Sequence, residues 1–215
     1  MLLANAIVEL HDQRTSDWHL TDANPCEGVL REGVRTPSGD QDAAAEWAEL
    51  VVCQHRANFD LWHIEDEARA PGATDADLAA VKRRIDTTNQ LRNDLVEALD
   101  RALLAWLGER GLPNPAAPLN SESPGLIIDR LSILALKIYH TREEPLREDA
   151  PEGHAARNRE RLGILEEQRS DLAGCLEDLW RESLAGTRRF KLYRQLKMYN
   201  DPLLNPAIYR QEAPK

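Results

Sequence analysis

Apolar residues recur along the chain with a helical period, and no stretch alternates apolar and polar residues as a half-buried strand would. Leu3, Ile7 and Leu10 share one face of a first helix over residues 2–20. Pro25, Gly28, Gly33, Pro37 and Gly39 then mark a loop over 21–40. A second helix is predicted from Gln41 to Ala70, where Pro71-Gly72 ends it. Thr74 with Asp77 has the form of a capping box. It opens a third helix running to Arg110, with Leu78, Val81, Ile85, Val96, Leu99 and Leu103 in one stripe. Ser123-Pro124 supplies an N-cap and a first-turn proline for a fourth helix, to Thr141. A fifth carries Leu162, Leu165, Leu172, Leu176 and Leu179 and ends near Gly186. The expected fold is an all-α bundle of about five helices, one domain over 1–215, with an irregular C-terminal arm (187–215) packed on it.

Composition narrows the partners. The chain has 215 residues, with 27 Lys+Arg against 37 Asp+Glu, for a formal charge of −10. It is long enough to bury a core without a disulfide or a structural metal. The acidity argues against nucleic acid as a partner, because such binding rests on neutralising phosphates. No apolar run is long enough for membrane insertion, and the N-terminus lacks the basic region of a signal peptide. Cys26, Cys53 and Cys175 are odd in number and far apart, so neither a disulfide framework nor a zinc finger is expected, and a cytoplasmic location is the default. The charge is also uneven. Between Arg181 and Tyr199, six basic residues stand against one acid, a local charge of +5 that leaves −15 for the rest.

Candidate chemistry lies on polar stripes where a plain bundle would place leucine. The fourth helix is apolar on nearly all sides and should be central, yet Arg130, Lys137 and His140 form a stripe on it, with Asp129 and Ser132 alongside. Buried charges need partners or a wet cleft. The second helix offers Asn58, His63, Glu65, Asp66 and Arg69, and the third offers Asn89, Arg92, Asp94, Glu97 and Asp100. Helices of a bundle can aim such residues at one site. In that site His63, Asp66, Glu97 and His140 are the catalytic candidates. Asn58, Arg69, Asn89, Arg92, Arg130 and Lys137 would bind a small anionic substrate, joined by Lys197 and Tyr199 from the basic arm. Glu65, Asp66, Asp94 and Glu97 could hold a divalent metal, since carboxylates suit hard cations. Haem framed by His and Trp is a lesser alternative. Leucine-rich faces on long helices leave room for a homodimer.

The chain resembles, over nearly its whole length, a bacterial family of helical proteins classed only as a domain of unknown function. The matching segments are Asn58 to Arg69, with its Trp62-His63-x-Glu65-Asp66 core, and Asn89-Gln90-x-Arg92-Asn93-Asp94-Leu95-Val96-Glu97. Asp129-Arg130-Leu131-Ser132-Ile133-Leu134 with Leu136-Lys137-Ile138-Tyr139-His140, and Lys197-Met198-Tyr199-Asn200-Asp201-Pro202, complete the match. The resemblance implies that the polar stripes and the arm belong together, but brings no catalytic assignment. Its members are associated with glycosyltransferase genes, which implies surface-glycan or nucleotide-sugar metabolism. Glu97-x-x-Asp100 is also similar to the metal-binding pattern of all-α nucleotide pyrophosphohydrolases, but Ala68 and Arg69 stand where that pattern's first motif has an acid. Two expectations follow: an enzyme for a nucleotide, sugar phosphate or similar anion, or a non-catalytic accessory protein of glycan biosynthesis whose polar stripes only pair with one another.

Overall fold

A computed structural model describes residues 3–21, 26 and 40–196. Its helices are α1 (Ala4–Leu20), α2 (Asp40–Glu67), α3 (Asp75–Gly108), α4 (Pro124–Glu143) and α5 (His154–Leu184), with a short 3-10 turn at Glu144–Leu146. The described residues contain no sheet, only an isolated bridge between Leu119 and Arg189. The fold is all-α, as the periodicity predicts.

Local signals set the boundaries. Thr74 and Asp77 close a reciprocal capping box at the start of α3. Ser123 caps α4 through its hydroxyl, and Pro124 occupies the first turn, where a missing N–H costs nothing. The start of α4 is anchored a second time from below. Buried Asp100 on α3 accepts hydrogen bonds from the Ser123 hydroxyl and, at 2.7 Å, from the Gly125 N–H. Burial pushes this carboxyl up to about 6, against the pull of those two bonds. Asp100 is therefore a structural acid.

α4 is the central helix, packed against all four others. Leu99, Leu103 and Leu107 of α3 meet Ile127, Ile128 and Leu131 of α4, with Leu50 and Val51 of α2 and Leu176 and Leu179 of α5 around them. A separate cluster of Leu61, Ile64, Val81 and Ile85 zips the far ends of α2 and α3 together. The arm crosses back beside residues 117–120, where Arg189 N–H donates to the Pro118 carbonyl at 3.0 Å, and it buries Phe190.

One expectation is corrected. Cys26 and Cys53 form a disulfide, joining the stretch between α1 and α2 to the middle of α2, with Cα atoms 5.5 Å apart. α1 and α2 run side by side in the same direction, His11 beside His55 and His19 beside His63, and the wide sequence spacing hid the cysteine pair. Cysteine usage therefore no longer argues for a reducing compartment. Among the described residues no helix is long and apolar enough to cross a membrane.

Candidate metal centre

Three helices meet along one seam, each presenting one face at helical spacing. α1 gives His11, Thr15, Trp18 and His19; α2 gives Gln54, His55, Asn58, Phe59 and His63; α4 gives Asp129, Ser132, Leu136 and His140. Stacked along the seam, these residues make a polar layer, an apolar layer and a histidine layer.

The polar layer is a connected hydrogen-bond network. Asp129 Oδ1 accepts from Gln54 Nε2 at 2.6 Å and from Asn58 Nδ2 at 3.0 Å, with Arg92 Nε 3.5 Å away. Burial pushes the Asp129 carboxyl up, while Arg92, Asn58 and Gln54 hold it down. Asn58 Nδ2 also donates to Ser132 Oγ at 2.9 Å. Ser132 Oγ lies 2.7 Å from His55 Nδ1, and His55 Nε2 lies 3.0 Å from the His11 carbonyl and 2.9 Å from Thr15 Oγ1. A carbonyl can only accept, so the His55 proton sits on Nε2 and Nδ1 accepts from Ser132. Burial pulls His55 down to about 3, so the ring is neutral. Around this chain, Gln54 Oε1 and Arg92 Nε are buried without a hydrogen-bond partner.

Trp18, Phe59 and Leu136 form the apolar layer above it. Beyond that layer His19, His63 and His140 converge, with one potential ligand nitrogen from each within 4.8 Å of the other two. Their tautomers follow from their other partners. His19 Nδ1 is 2.7 Å from the Thr15 carbonyl and His63 Nδ1 is 2.9 Å from the Phe59 carbonyl, so both protons are on Nδ1. His140 Nδ1 faces Glu143 Oε2 at 3.5 Å. Burial lowers the His140 pKa, helped by His19 and His63 and opposed by Glu143. The Nε2 atoms of His19 and His63 therefore carry lone pairs, and the Nε2 atoms of His19 and His140 are buried without a hydrogen-bond partner. Ring packing fixes the orientations: Tyr139 stacks on His19 with centroids 4.3 Å apart, and Trp62 stacks on His140 at 4.8 Å.

Three converging imidazoles, two of them with Nδ1 held by backbone carbonyls, fit a cation. A tetrahedral ion with metal–nitrogen bonds of about 2.0 Å would bring the nitrogens to roughly 3.3 Å, a closure of up to about 1.5 Å. Imidazoles suit the zinc, copper and nickel class rather than magnesium or calcium. Backbone and carboxylate partners on Nδ1 are the usual outer support of such ligands. Three protein ligands leave one position open for water or substrate.

The sequence candidates are distributed unevenly around this centre. His63 and His140 lie in it, Asn58 lies in the polar layer, and Arg92 lies at that layer's edge. The four acids named as metal ligands do not converge. Glu65 pairs with Arg69, and Asp66 is exposed. Asp94 is exposed and accepts from Gln90, and Glu97 pairs with Arg101 and accepts the Gln195 N–H of the arm. Leu61 and Ile64 turn toward α3, which turns Glu65 and Asp66 outward; Leu95, Val96 and Leu99 do the same to Asp94. Among the described residues, the histidine trio is the one group of three ligand-type side chains close enough to share an ion. Asn89 is partly buried on α3, Arg130 is exposed and paired with Glu122, and Lys137 is exposed. On α4 it is the Asp129–Ser132 stripe that points inward. Lys197 and Tyr199 lie outside the described residues. Within the arm, Arg188 pairs with Glu182 and Arg189 donates to the Ala117 carbonyl. Sequence reasoning missed His19, Thr15 and His55. The available signal was the spacing of His11, Thr15, Trp18 and His19 on one face of α1.

Fold and seam together define a helical-bundle protein with a preformed histidine cluster. The chain belongs to the family described as Protein of unknown function (DUF4254), which matches residues 48–192. That span includes His63 and His140 and stops short of α1. No curated protein and no solved structure matches the chain.

Proposed function

We propose that this protein is a metal-dependent enzyme for a small anionic substrate, with His19, His63 and His140 holding a divalent transition-metal ion. The observation that carries this reading is the convergence of one ring nitrogen from each of three histidines, two of which have Nδ1 engaged by a backbone carbonyl. Three neutral ligands leave the full charge of the ion uncompensated, which favours an anion at the open position. The same charge lowers the pKa of a bound water toward 7, supplying a nucleophile near neutral pH. Phosphate or carboxylate groups of a nucleotide or sugar phosphate have the required charge.

Calorimetric titration of chelator-treated protein tests the reading. One zinc or cobalt(II) ion per chain is expected, and magnesium should not compete. His63→Ala and His140→Ala should each weaken zinc binding by roughly 100-fold or more. At zinc 100-fold above its Kd, unfolding free energy should rise by about 2.7 kcal/mol. Absence of zinc and cobalt(II) binding, or binding unchanged by both substitutions, would refute the assignment.

A further inference from the structure

The buried face of α1 is unusual for a helix that must be placed accurately. It comprises Ala4, Ile7, His11, Thr15 and Trp18, so past Ile7 it has one large apolar side chain. Apolar packing is tolerant of small slides, whereas a hydrogen bond is lost within a few tenths of an ångström. The second half of α1 is therefore placed by its polar contacts: Asp12 with Arg169 of α5 at 2.7 Å, and Thr15 with His55 at 2.9 Å.

Thr15 faces two ways. Its Oγ1 is 2.9 Å from His55 Nε2, and its carbonyl accepts the His19 Nδ1–H at 2.7 Å. His55 is itself locked, with Nε2 on the His11 carbonyl and Nδ1 on Ser132 Oγ. Ser132 is held by Asn58, which is held by Asp129. One continuous path of hydrogen bonds thus runs from the polar layer, around the apolar layer of Trp18, Phe59 and Leu136, to the ring of His19. No comparable path reaches His63, whose Nδ1 bonds only to the carbonyl of its own helix.

We propose that Thr15 and His55 are positioning residues of the metal centre: they fix the height and rotation of α1, and through the Thr15 carbonyl the orientation of the His19 ring. This inference rests on the metal reading above and deepens it. His19 is the ligand whose placement depends on docking a separate helix, so the affinity of the centre is set in the polar layer, two helical turns from the ion.

Thr15→Val keeps the shape of the side chain and removes the hydroxyl; Thr15→Ser restores it. Cobalt(II) titration followed by its visible absorption is the direct readout. Thr15→Val is expected to weaken cobalt(II) binding 10- to 100-fold and to alter the ligand-field bands, and Thr15→Ser to recover most of both. Leu176→Ala, in the core on the α5 side, serves as a control for lost stability and should leave affinity within about twofold. Nitrogen-15 NMR of the metal-free protein gives a second readout: a single Nδ1–H tautomer for His19 in the parent chain and a mixture in Thr15→Val. Cobalt(II) binding by Thr15→Val equal to the parent's, or an equal loss in Leu176→Ala, would overturn the positioning role while leaving the metal centre standing. If the parent chain bound no cobalt(II), the metal reading would fall, and the His19 tautomer in Thr15→Val would still decide whether Thr15 orients the ring: a single unchanged tautomer would overturn that role.

Discussion

Gly125→Ala is expected to destabilise the fold by about 3 kcal/mol, measured by urea denaturation at pH 7. A Cβ at this position would sit 2.7 Å from the Val96 carbonyl oxygen and 2.9 Å from Asp100 Oδ1. The first contact is backbone of α3, so relief requires moving α3 away from α4. The second is the acceptor of the Gly125 N–H itself, so the displaced carboxylate loses its bond at the same time. Alanine's better helix propensity returns about 1 kcal/mol, too little to offset overpacking and a broken buried hydrogen bond together. Asp100→Asn, which keeps an acceptor for the Gly125 N–H, should cost much less. A Gly125→Ala variant within about 0.5 kcal/mol of the parent would show that the two helices are not locked at this point.

Acid should destabilise the protein steeply, starting below pH 6.5. His11 and His55 are completely buried, and burial holds both below the ordinary histidine range, His55 at about 3. A histidine depressed in the folded state gives stability that is complete above its unfolded pKa and is lost as pH falls through and below it. Each such ring removes about 1.4 kcal/mol per pH unit once pH is well under 6.5, so the pair removes about 3 kcal/mol per unit. Asp100 acts in the opposite sense. Its carboxyl is raised to about 6, so the folded state gains protons first and recovers part of the loss below that pH. The net fall is therefore expected to set in near pH 6.5, to reach about half of the two-histidine slope by pH 5.5, and to continue below pH 5. His11 offers a clean test, because neither ring nitrogen has a hydrogen-bond partner while its ring stacks on His55 at 4.4 Å. His11→Phe should keep the stack, leave stability at pH 7 unchanged or higher, and lower the slope of unfolding free energy against pH by about 1.4 kcal/mol per unit below pH 5.5. An undiminished slope in that variant would remove His11 from the account.

Much of the helical framework is readable because its signals are local. A capping box at Thr74 and a Ser-Pro pair at 123–124 specify helix starts from a few adjacent residues, whatever the rest of the chain does. The inward face of α4 is a different matter. Asp129 and Arg130 are neighbours about 100° apart on the helix, and which of them is buried depends on where α1, α2 and α3 lie. Periodicity alone places the Arg130–Lys137 stripe inward; the structure turns Asp129 and Ser132 inward, where Gln54 and Asn58 bond them. The candidate centre divides the same way. His63 and His140 stand out in the sequence as polar residues on apolar helices, whereas His19 acquires meaning only when α1 is laid across them. The acids were attractive because carboxylates are common metal ligands, but their helices place them on solvated faces.

The origin of the third ligand also has a thermodynamic consequence. His63 and His140 belong to helices that pack together through the core, while His19 arrives on a helix that precedes the DUF4254 match at residues 48–192. A protein cut to that span would present a bidentate chelate in place of a tridentate one. It would bind a transition ion weakly and exchange it quickly, even if every matched residue were in place. In the proposed centre of this chain, α2 and α4 would supply two imidazoles, and α1 would decide whether the ion is merely visited or retained.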